Sequence, residues 1–94
     1  MSLIFEWDPD KASLNVEKHG VTFDEACTAF EDRLSLTIPD PLHSEDEDRF
    51  VLIGYSHQSR LLAIVHTDRG DRVRLISARA ATGKERRYHE ENEE

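Results

Sequence analysis

Cationic side chains are concentrated in the last third of this 94-residue chain. Residues 60–87 hold eight Arg and Lys and three Asp and Glu, a net charge of +5, although the whole chain has a formal charge of −8. A basic block inside an acidic chain is typical of a site that binds phosphate groups. The alternative interpretation is a set of arginines on a solvated strand face.

The residue types in and near this block can cleave an RNA phosphodiester without a metal ion. The 2′-hydroxyl must lose a proton, the pentavalent phosphorane needs cationic stabilisation, and the 5′-oxygen leaving group needs a proton. Guanidinium groups match phosphate oxygens, while His, Glu, Tyr or a perturbed Lys can transfer the protons. The sequence has no Gly-rich phosphate loop, no paired cysteines and no His pair around a Glu, so we predict no cofactor. The acidic run 45–48 is not predicted to hold a metal, because four adjacent carboxylates cannot all face one ion.

A polar stripe on the first predicted helix adds to this chemistry. Lys11, Asn15 and Lys18 recur at the spacing i, i+4, i+7, which places them on one helix face, and the stripe continues to His19. Two cations and an amide can contact phosphates. We therefore predict RNA contacts from Lys11 and Asn15, with an ordinary solvated face as the alternative.

Two predicted strands carry the remaining candidates. Alternation of side chains places Arg60 and His66 on one face of the first strand, and Arg72 and Arg74 on one face of the next. Arg60 and Arg72 are predicted RNA contacts, while His66 is either catalytic or a structural core residue. Arg79 has the opposite parity to Arg74, so it leaves the core only if the strand ends or bulges near residues 77–78.

Hydrophobic periodicity predicts the elements that position these side chains. Strands are predicted over residues 3–7, 34–38, 49–56, 60–67 and 72–78. The first helix is expected to begin at Asp8-Pro9 and to end before Gly20. Capping boxes at residues 22–25 and 82–85 open two more helices. The resulting α+β fold has two N-terminal helices on one face of a mainly antiparallel sheet, followed by a C-terminal helix.

The second and third predicted helices differ in the apolar surface that each can pack against the rest of the domain. The second has a continuous apolar face formed by Phe23, Ala26, Cys27 and Phe30. The third offers only Tyr88 as a large anchoring side chain, and acidic residues follow it in the tail at about 90–94.

Length and composition predict one soluble domain over residues 1–94. The single cysteine excludes an internal disulfide and fits a reducing compartment. No apolar run approaches the roughly 20 residues that span a bilayer, and the N-terminus lacks the features of a signal peptide. We therefore predict a cytoplasmic protein that does not bind membranes.

Two groups of motifs give the sequence a resemblance to the BrnT family of bacterial toxins. The N-terminal group consists of FEWDPDK at residues 5–11, Asn15, and KHGVTFDEA at residues 18–26. The C-terminal group consists of RLISAR at residues 74–79, Ala81, Thr82, Glu85, Arg86 and Tyr88. Phe30, Asp32, Arg49 and Gly54 match positions between the two groups. The match extends over about residues 5–88, and the combination is far more specific than any one motif.

This resemblance implies an RelE-like fold, ribonuclease activity, growth arrest and a small cognate antitoxin as partner. It also implies that the toxin–antitoxin complex represses its own operon, with DNA bound only through the antitoxin. Catalytic roles are implied first for Arg74 and Arg79, then for Lys18, His19, His66 and Glu85. A homodimer or a heterotetramer with the antitoxin is the expected assembly.

Two other functions are compatible with the same residues. One is a catalytically inactive, toxin-like module that only pairs with an antitoxin or a regulatory partner. The other is a structural or dimerisation domain whose basic strand meets an acidic partner. Growth arrest on expression of the chain alone would separate the toxin from both.

Overall fold

The computed structural model describes residues 3–40 and 48–92, and the acidic run predicted at 45–48 therefore lies outside the described residues except for Asp48. In chain order the elements are β1 (Ile4–Glu6), α1 (Pro9–His19), α2 (Phe23–Ala29), β2 (Leu36–Pro39), β3 (Phe50–Tyr55), β4 (Leu61–Arg69), β5 (Arg72–Ala80) and α3 (Gly83–Glu91). Each element coincides with a predicted one, with shifts of a few residues at the ends. The predicted α+β class is confirmed, with three helices and five strands in the described part of the chain.

The helix ends follow from the polar and glycine residues that flank them. Asp8 accepts a hydrogen bond from the Asp10 backbone N–H at 2.8 Å, and Pro9 is the first residue of α1. Gly20 ends this helix with a φ of 67°, a left-handed conformation that a side chain disfavours. At α3 the capping box is reciprocal, since Thr82 and Glu85 each bond the backbone N–H of the other.

The five strands form one mixed sheet in the order β1-β5-β4-β3-β2. The pairs of β2 with β3, β3 with β4, and β4 with β5 are antiparallel. β1 pairs in parallel with β5, from Ile4 opposite Arg72 to Glu6 opposite Arg74. Among the described residues, no strand pairs with this edge of β5 beyond Arg74.

Apolar side chains cover both faces of the sheet. On the first face, α2 contributes Phe23, Ala26 and Ala29 to a core with residues of β3, β4 and β5. Phe23 is 2% exposed, so its prediction as a core residue is confirmed. The second face has a smaller cluster formed by Val51, Ile53, Leu61 and Ala63. Both faces of the central strands are therefore buried, which explains their long apolar runs.

A β-bulge divides β5 into two halves. Val65 of β4 pairs with Ser77, but the next residue, His66, pairs with Leu75, so Ile76 is left over. Leu75 and Ala78 both lie in the first core cluster although they are three residues apart. A regular strand would place them on opposite faces, and the bulge removes that conflict.

The C-terminal helix is anchored by a residue that the sequence did not indicate. His89 is 1% exposed and packs edge-on against the ring of Tyr55, with ring centroids 5.5 Å apart. Tyr88, the one large side chain that the sequence offered for this role, is 41% exposed. A polar helix can thus be held by a buried imidazole, which a count of large apolar residues overlooks.

No helix in the described ranges has the length and apolar character needed to cross a membrane.

Candidate functional site

An open cleft separates α1 from the bulged part of β5. Its volume is about 180 Å³, and we call it the α1–β5 cleft. Lys11, Leu14, Asn15, Lys18 and His19 line it from α1, and Ile76 and Ser77 line it from β5. The helical stripe recognised in the sequence therefore faces a strand that carries three of the candidate arginines. Bulges are frequent beside active sites because they redirect side chains.

Three side chains of the cleft are available to bind an anion. Lys11, Lys18 and His19 are all exposed, and none makes a hydrogen bond or an ion pair within residues 3–40 and 48–92. Because α1 also ends here, its last carbonyl groups favour cations in this turn. The ends of Lys18 and His19 can therefore turn to a ligand without breaking an existing contact.

Asn15 has a structural position that differs from its predicted role. It is 5% exposed, and its Nδ2 group donates to the carbonyl oxygens of Val21 at 2.9 Å and of Ala78 at 2.8 Å. Its Oδ1 atom accepts from the Ala78 backbone N–H at 3.0 Å. With all of these groups engaged internally, Asn15 is not an exposed RNA contact, and we correct the prediction accordingly.

Arg79 leaves the core because of the bulge in β5. It pairs with Ala63, a residue of the second face, so Arg79 and Ser77 lie on the same side of the strand, roughly 7 Å apart. Its Nη1 and Nη2 groups donate to the two carboxylate oxygens of Glu85 at 2.7 and 2.9 Å. These bonds hold the pKa of the Glu85 carboxyl below its usual value, so Glu85 is ionised and a weak proton acceptor.

Arg74 and Arg72 share a carboxylate partner on the neighbouring strand. Arg74 Nη1 donates to Glu6 Oε2 at 3.0 Å, and Arg72 Nη1 lies 3.7 Å from Glu6 Oε1. Both arginines lie on the face of β5 opposite Val73 and Leu75. Arg74 thus reaches the same face as Arg79, although the two have opposite parity in the sequence.

Arg60 pairs with a buried carboxylate outside the cleft, although its own side chain is 42% exposed. It donates through Nε and Nη2 to the two carboxylate oxygens of Glu25, and Ser56 Oγ donates to the same carboxylate at 2.7 Å. Chiefly the bond from Arg60 holds the pKa of the Glu25 carboxyl low, because it stabilises the charged form. The network joins α2 to the β3–β4 turn, away from the cleft, and the contact of Arg60 with RNA stays a prediction. It also explains why Glu25 does not complete a reciprocal cap at Thr22.

His66 lies in the core on the first face of the sheet. It is 4% exposed, its Nδ1 atom is 3.2 Å from the Ile64 carbonyl, and the Phe30 ring packs edge-on against it. Arg74 and Arg79 lie on the other face. Burial lowers the pKa of the imidazole, which keeps it neutral. Of the two roles left open by the sequence, this position supports the structural one.

The buried imidazole predicts a pH dependence of stability. The unfolded chain binds a proton at His66 near pH 6.5, whereas the folded chain does so only at lower pH. The contribution of His66 is therefore complete above pH 6.5 and is lost as the pH falls toward its folded pKa, with a slope of at most about 1.4 kcal/mol per pH unit. We expect His66→Leu to reduce the slope of the unfolding free energy, measured in urea between pH 7.5 and 5. An unchanged slope, or an equal reduction in the exposed-histidine variant His57→Gln, would contradict this expectation.

Several residues of this region were absent from the sequence prediction. Ile76 and Ser77 line the cleft, and Glu6 and Glu25 neutralise candidate arginines. A polar serine between two arginines was the only available signal for Ser77.

Cys27 has a pKa raised to about 11, mainly by burial, so its thiol is protonated near neutral pH. Within residues 3–40 and 48–92, no three His, Cys, Asp or Glu side chains are grouped to hold a metal ion.

Comparisons with known proteins place this geometry in a family. The family model described as "Ribonuclease toxin, BrnT, of type II toxin-antitoxin system" matches residues 7–85. The crystal structure of the Brucella abortus ribonuclease toxin BrnT is similar to this chain, with a TM-score of 0.68 and 26% sequence identity. That similarity covers 86% of this chain and 99% of the Brucella chain. Among curated protein sequences, none matches. The chain belongs to the BrnT family of ribonuclease toxins of type II toxin–antitoxin systems.

Proposed function

We propose that this chain cleaves RNA without a metal ion, on an RelE-like fold, and arrests growth when no antitoxin is bound. The observation that supports the proposal most strongly is the α1–β5 cleft. Three exposed groups, Lys11, Lys18 and His19, line it opposite the bulge of β5 and have no partner among the residues that the structure describes. Cationic groups beside an imidazole match the needs of a reaction that develops charge on a phosphate and moves two protons.

Each side chain of the cleft has a distinct proposed role. Lys11 and Lys18 bind the phosphates that flank the scissile bond, and His19 transfers a proton to or from a ribose oxygen. Arg74 and Arg79 lie on the same face of β5 as Ser77, one before and one after it along the strand, and donate to the phosphorane. Glu85 holds the Arg79 guanidinium in a fixed plane, so it acts through Arg79 and not on the substrate.

The proposed partners follow from the family. A cognate antitoxin silences the chain, and their complex represses the operon, with the antitoxin supplying the contacts to DNA. The assembly is a homodimer or a heterotetramer with the antitoxin, in the cytoplasm. The family name supports the antitoxin; the other statements are proposals tested by expression with and without the adjacent gene.

One observation favours a second candidate function, an inactive module that only binds its partner. Arg60, Arg74 and Arg79 all form ion pairs with carboxylates inside the chain. These pairs neutralise much of the basic block and leave fewer charges for RNA. A catalytically inactive chain would then bind its antitoxin but leave RNA intact.

A cleavage assay with the purified chain separates the two functions. We expect single-stranded RNA to be cut in the presence of excess chelator, with a cyclic phosphate at the new 3′ end. Expression of the chain alone should arrest growth, and co-expression of the antitoxin should restore it. Cleavage that requires added metal would contradict the mechanism, and intact RNA with normal growth would favour the inactive module.

Substitution of Lys18 tests the cleft as the RNA-binding site. We expect Lys18→Ala to weaken binding of non-cleavable 2′-O-methyl RNA and to lower the slope of log K against log salt by about 0.7, the value for one phosphate contact on a single strand. The control is Lys84→Ala, which removes the same charge from α3, outside the cleft. Equal slopes for the two variants would show that RNA does not bind in the cleft.

A further inference from the structure

The side chain of Asn15 joins the two walls of the α1–β5 cleft. It bonds both backbone polar groups of Ala78, so the amide takes the place that a neighbouring strand would have at this edge of β5. β1 does not reach this position, since its pairing covers only Arg72 to Arg74. The third bond, to the Val21 carbonyl, ties the same amide to the turn that follows α1.

The orientation of α1 is fixed by the bonds of Asn15 together with the packing of Ala12 against the first core cluster. Asn15 is the one buried residue of this helix, whereas Leu14 and Val16 are 54% and 45% exposed. A helix held by an apolar face can slide or rotate slightly at small cost, but three directional hydrogen bonds allow one arrangement. The Asn15 amide therefore supplies the directional bonds that set the position of α1 against β5.

The spacing of the cleft residues makes this contact central to the site. Lys11, Lys18 and His19 stand at i−4, i+3 and i+4 from Asn15, which places all three on its face of α1. Ser77 and Arg79 flank Ala78 on β5. The bonds between Asn15 and Ala78 thus set the distances between the groups on the two walls.

We propose that Asn15 is a positioning residue for RNA cleavage, which holds Lys18 and His19 at a fixed distance from β5. This inference rests on the proposed function of the cleft. A displacement of about 1 Å between reacting groups can lower a rate about 10²-fold. Loss of the amide contact should therefore reduce the rate of the chemical step, while the exposed lysines still attract RNA.

Two variants test this role, with one stability control for both. Asn15→Leu keeps the approximate size but loses the hydrogen bonds, and Asn15→Gln keeps the amide but lengthens the side chain by one methylene. Thr67→Val is the control, because it removes a side-chain bond to a backbone carbonyl, 2.8 Å from Thr67 Oγ1 to Asp48, at a residue 2% exposed and outside the cleft. All four proteins are assayed at a temperature below their own unfolding midpoints.

We expect both Asn15 variants to lose about 10- to 10²-fold in kcat, with KM changed by less than about threefold. Thr67→Val should keep the kcat of the unsubstituted chain. Titration with 2′-O-methyl RNA gives a second readout that needs no turnover. In the unsubstituted chain the amide signals of Lys18 and Ser77 should both shift, whereas in the variants only that of Lys18 should.

The outcomes distinguish this inference from the proposed function. If the folded Asn15 variants retain full kcat and the shift at Ser77, Asn15 is only structural and the inference is overturned. An equal loss of kcat in Thr67→Val would overturn it as well, because the loss would then follow stability. Absence of RNA binding and cleavage in the unsubstituted chain would overturn the proposed function itself, and the inference with it.

Discussion

Replacement of Arg79 by alanine should lower the rate of RNA cleavage by about 10²- to 10³-fold, the usual cost of removing one donor to a developing anion. The bulge places Arg79 on the same side of β5 as Ser77, which lines the α1–β5 cleft. A guanidinium group has five N–H donors, and Glu85 engages two of them. Donors therefore remain for a phosphate, and the carboxylate holds them in a fixed plane. Single-turnover cleavage measures the rate, and growth on expression of the variant measures toxicity.

The variant Glu85→Gln is the matched control for this prediction. Glutamine keeps an oxygen for the Thr82 backbone N–H, so the cap of α3 is retained, but the negative charge beside Arg79 is removed. Because the ion pair is partly exposed, we expect a loss of about tenfold or less. A loss equal to that of Arg79→Ala would show that the carboxylate itself takes part in the reaction, contrary to the role assigned to it.

The elements that sequence predicts well are those specified by local chemistry. α1 begins at Asp8-Pro9 and ends before Gly20 because a side-chain acceptor, a fixed φ and a left-handed residue act within a few positions. The apolar face of α2 behaves in the same way, with Phe23 and Ala26 in the core. Such signals need no knowledge of distant residues.

The partners of the arginines could not be predicted in this way. Glu6 meets Arg74 and Glu25 meets Arg60 across 68 and 35 residues of sequence. A count of charges along the chain assigns these glutamates to an acidic region and the arginines to a basic one, although folding brings them into contact. These ion pairs reduce the positive charge that the basic block presents in the folded protein. The site is therefore defined by Lys11 and Lys18 of α1, which are unpaired within the described residues.

The face of the sheet on which Arg79 lies depends on one β-bulge in β5. In a regular strand, Arg74 and Arg79 would lie on opposite faces. The bulge at Ile76, which places them on the same face, is set by which residues of β4 pair with β5. His66 was similarly ambiguous, because an imidazole serves both as a ligand and as a buried hydrogen-bonding group, whereas Asn15 was expected on an exposed helix face. Only the burial of each side chain decides between the two.

The aromatic ring of Phe23 lies at the junction of the helices and the sheet. It is 2% exposed and packs edge-on against Trp7, with ring centroids 5.7 Å apart. Val21 lies in the same core cluster as Phe23, and its carbonyl oxygen accepts a hydrogen bond from Asn15. Loss of the ring would therefore leave a cavity at the base of α1.

We expect Phe23→Ala to lower the free energy of unfolding by about 3–5 kcal/mol, since the site loses buried apolar surface and the surrounding backbone collapses only partly. For a domain of this size, each kcal/mol corresponds to roughly 4–8 °C in Tm. Urea unfolding at fixed pH gives the free energy, and calorimetry gives Tm. Tyr88→Ala is the matched control, because it removes an aromatic ring that is 41% exposed and should change stability by less than about 0.5 kcal/mol. A loss below about 1 kcal/mol for Phe23→Ala, or equal losses for the two variants, would contradict the assignment of Phe23 to the centre of the core.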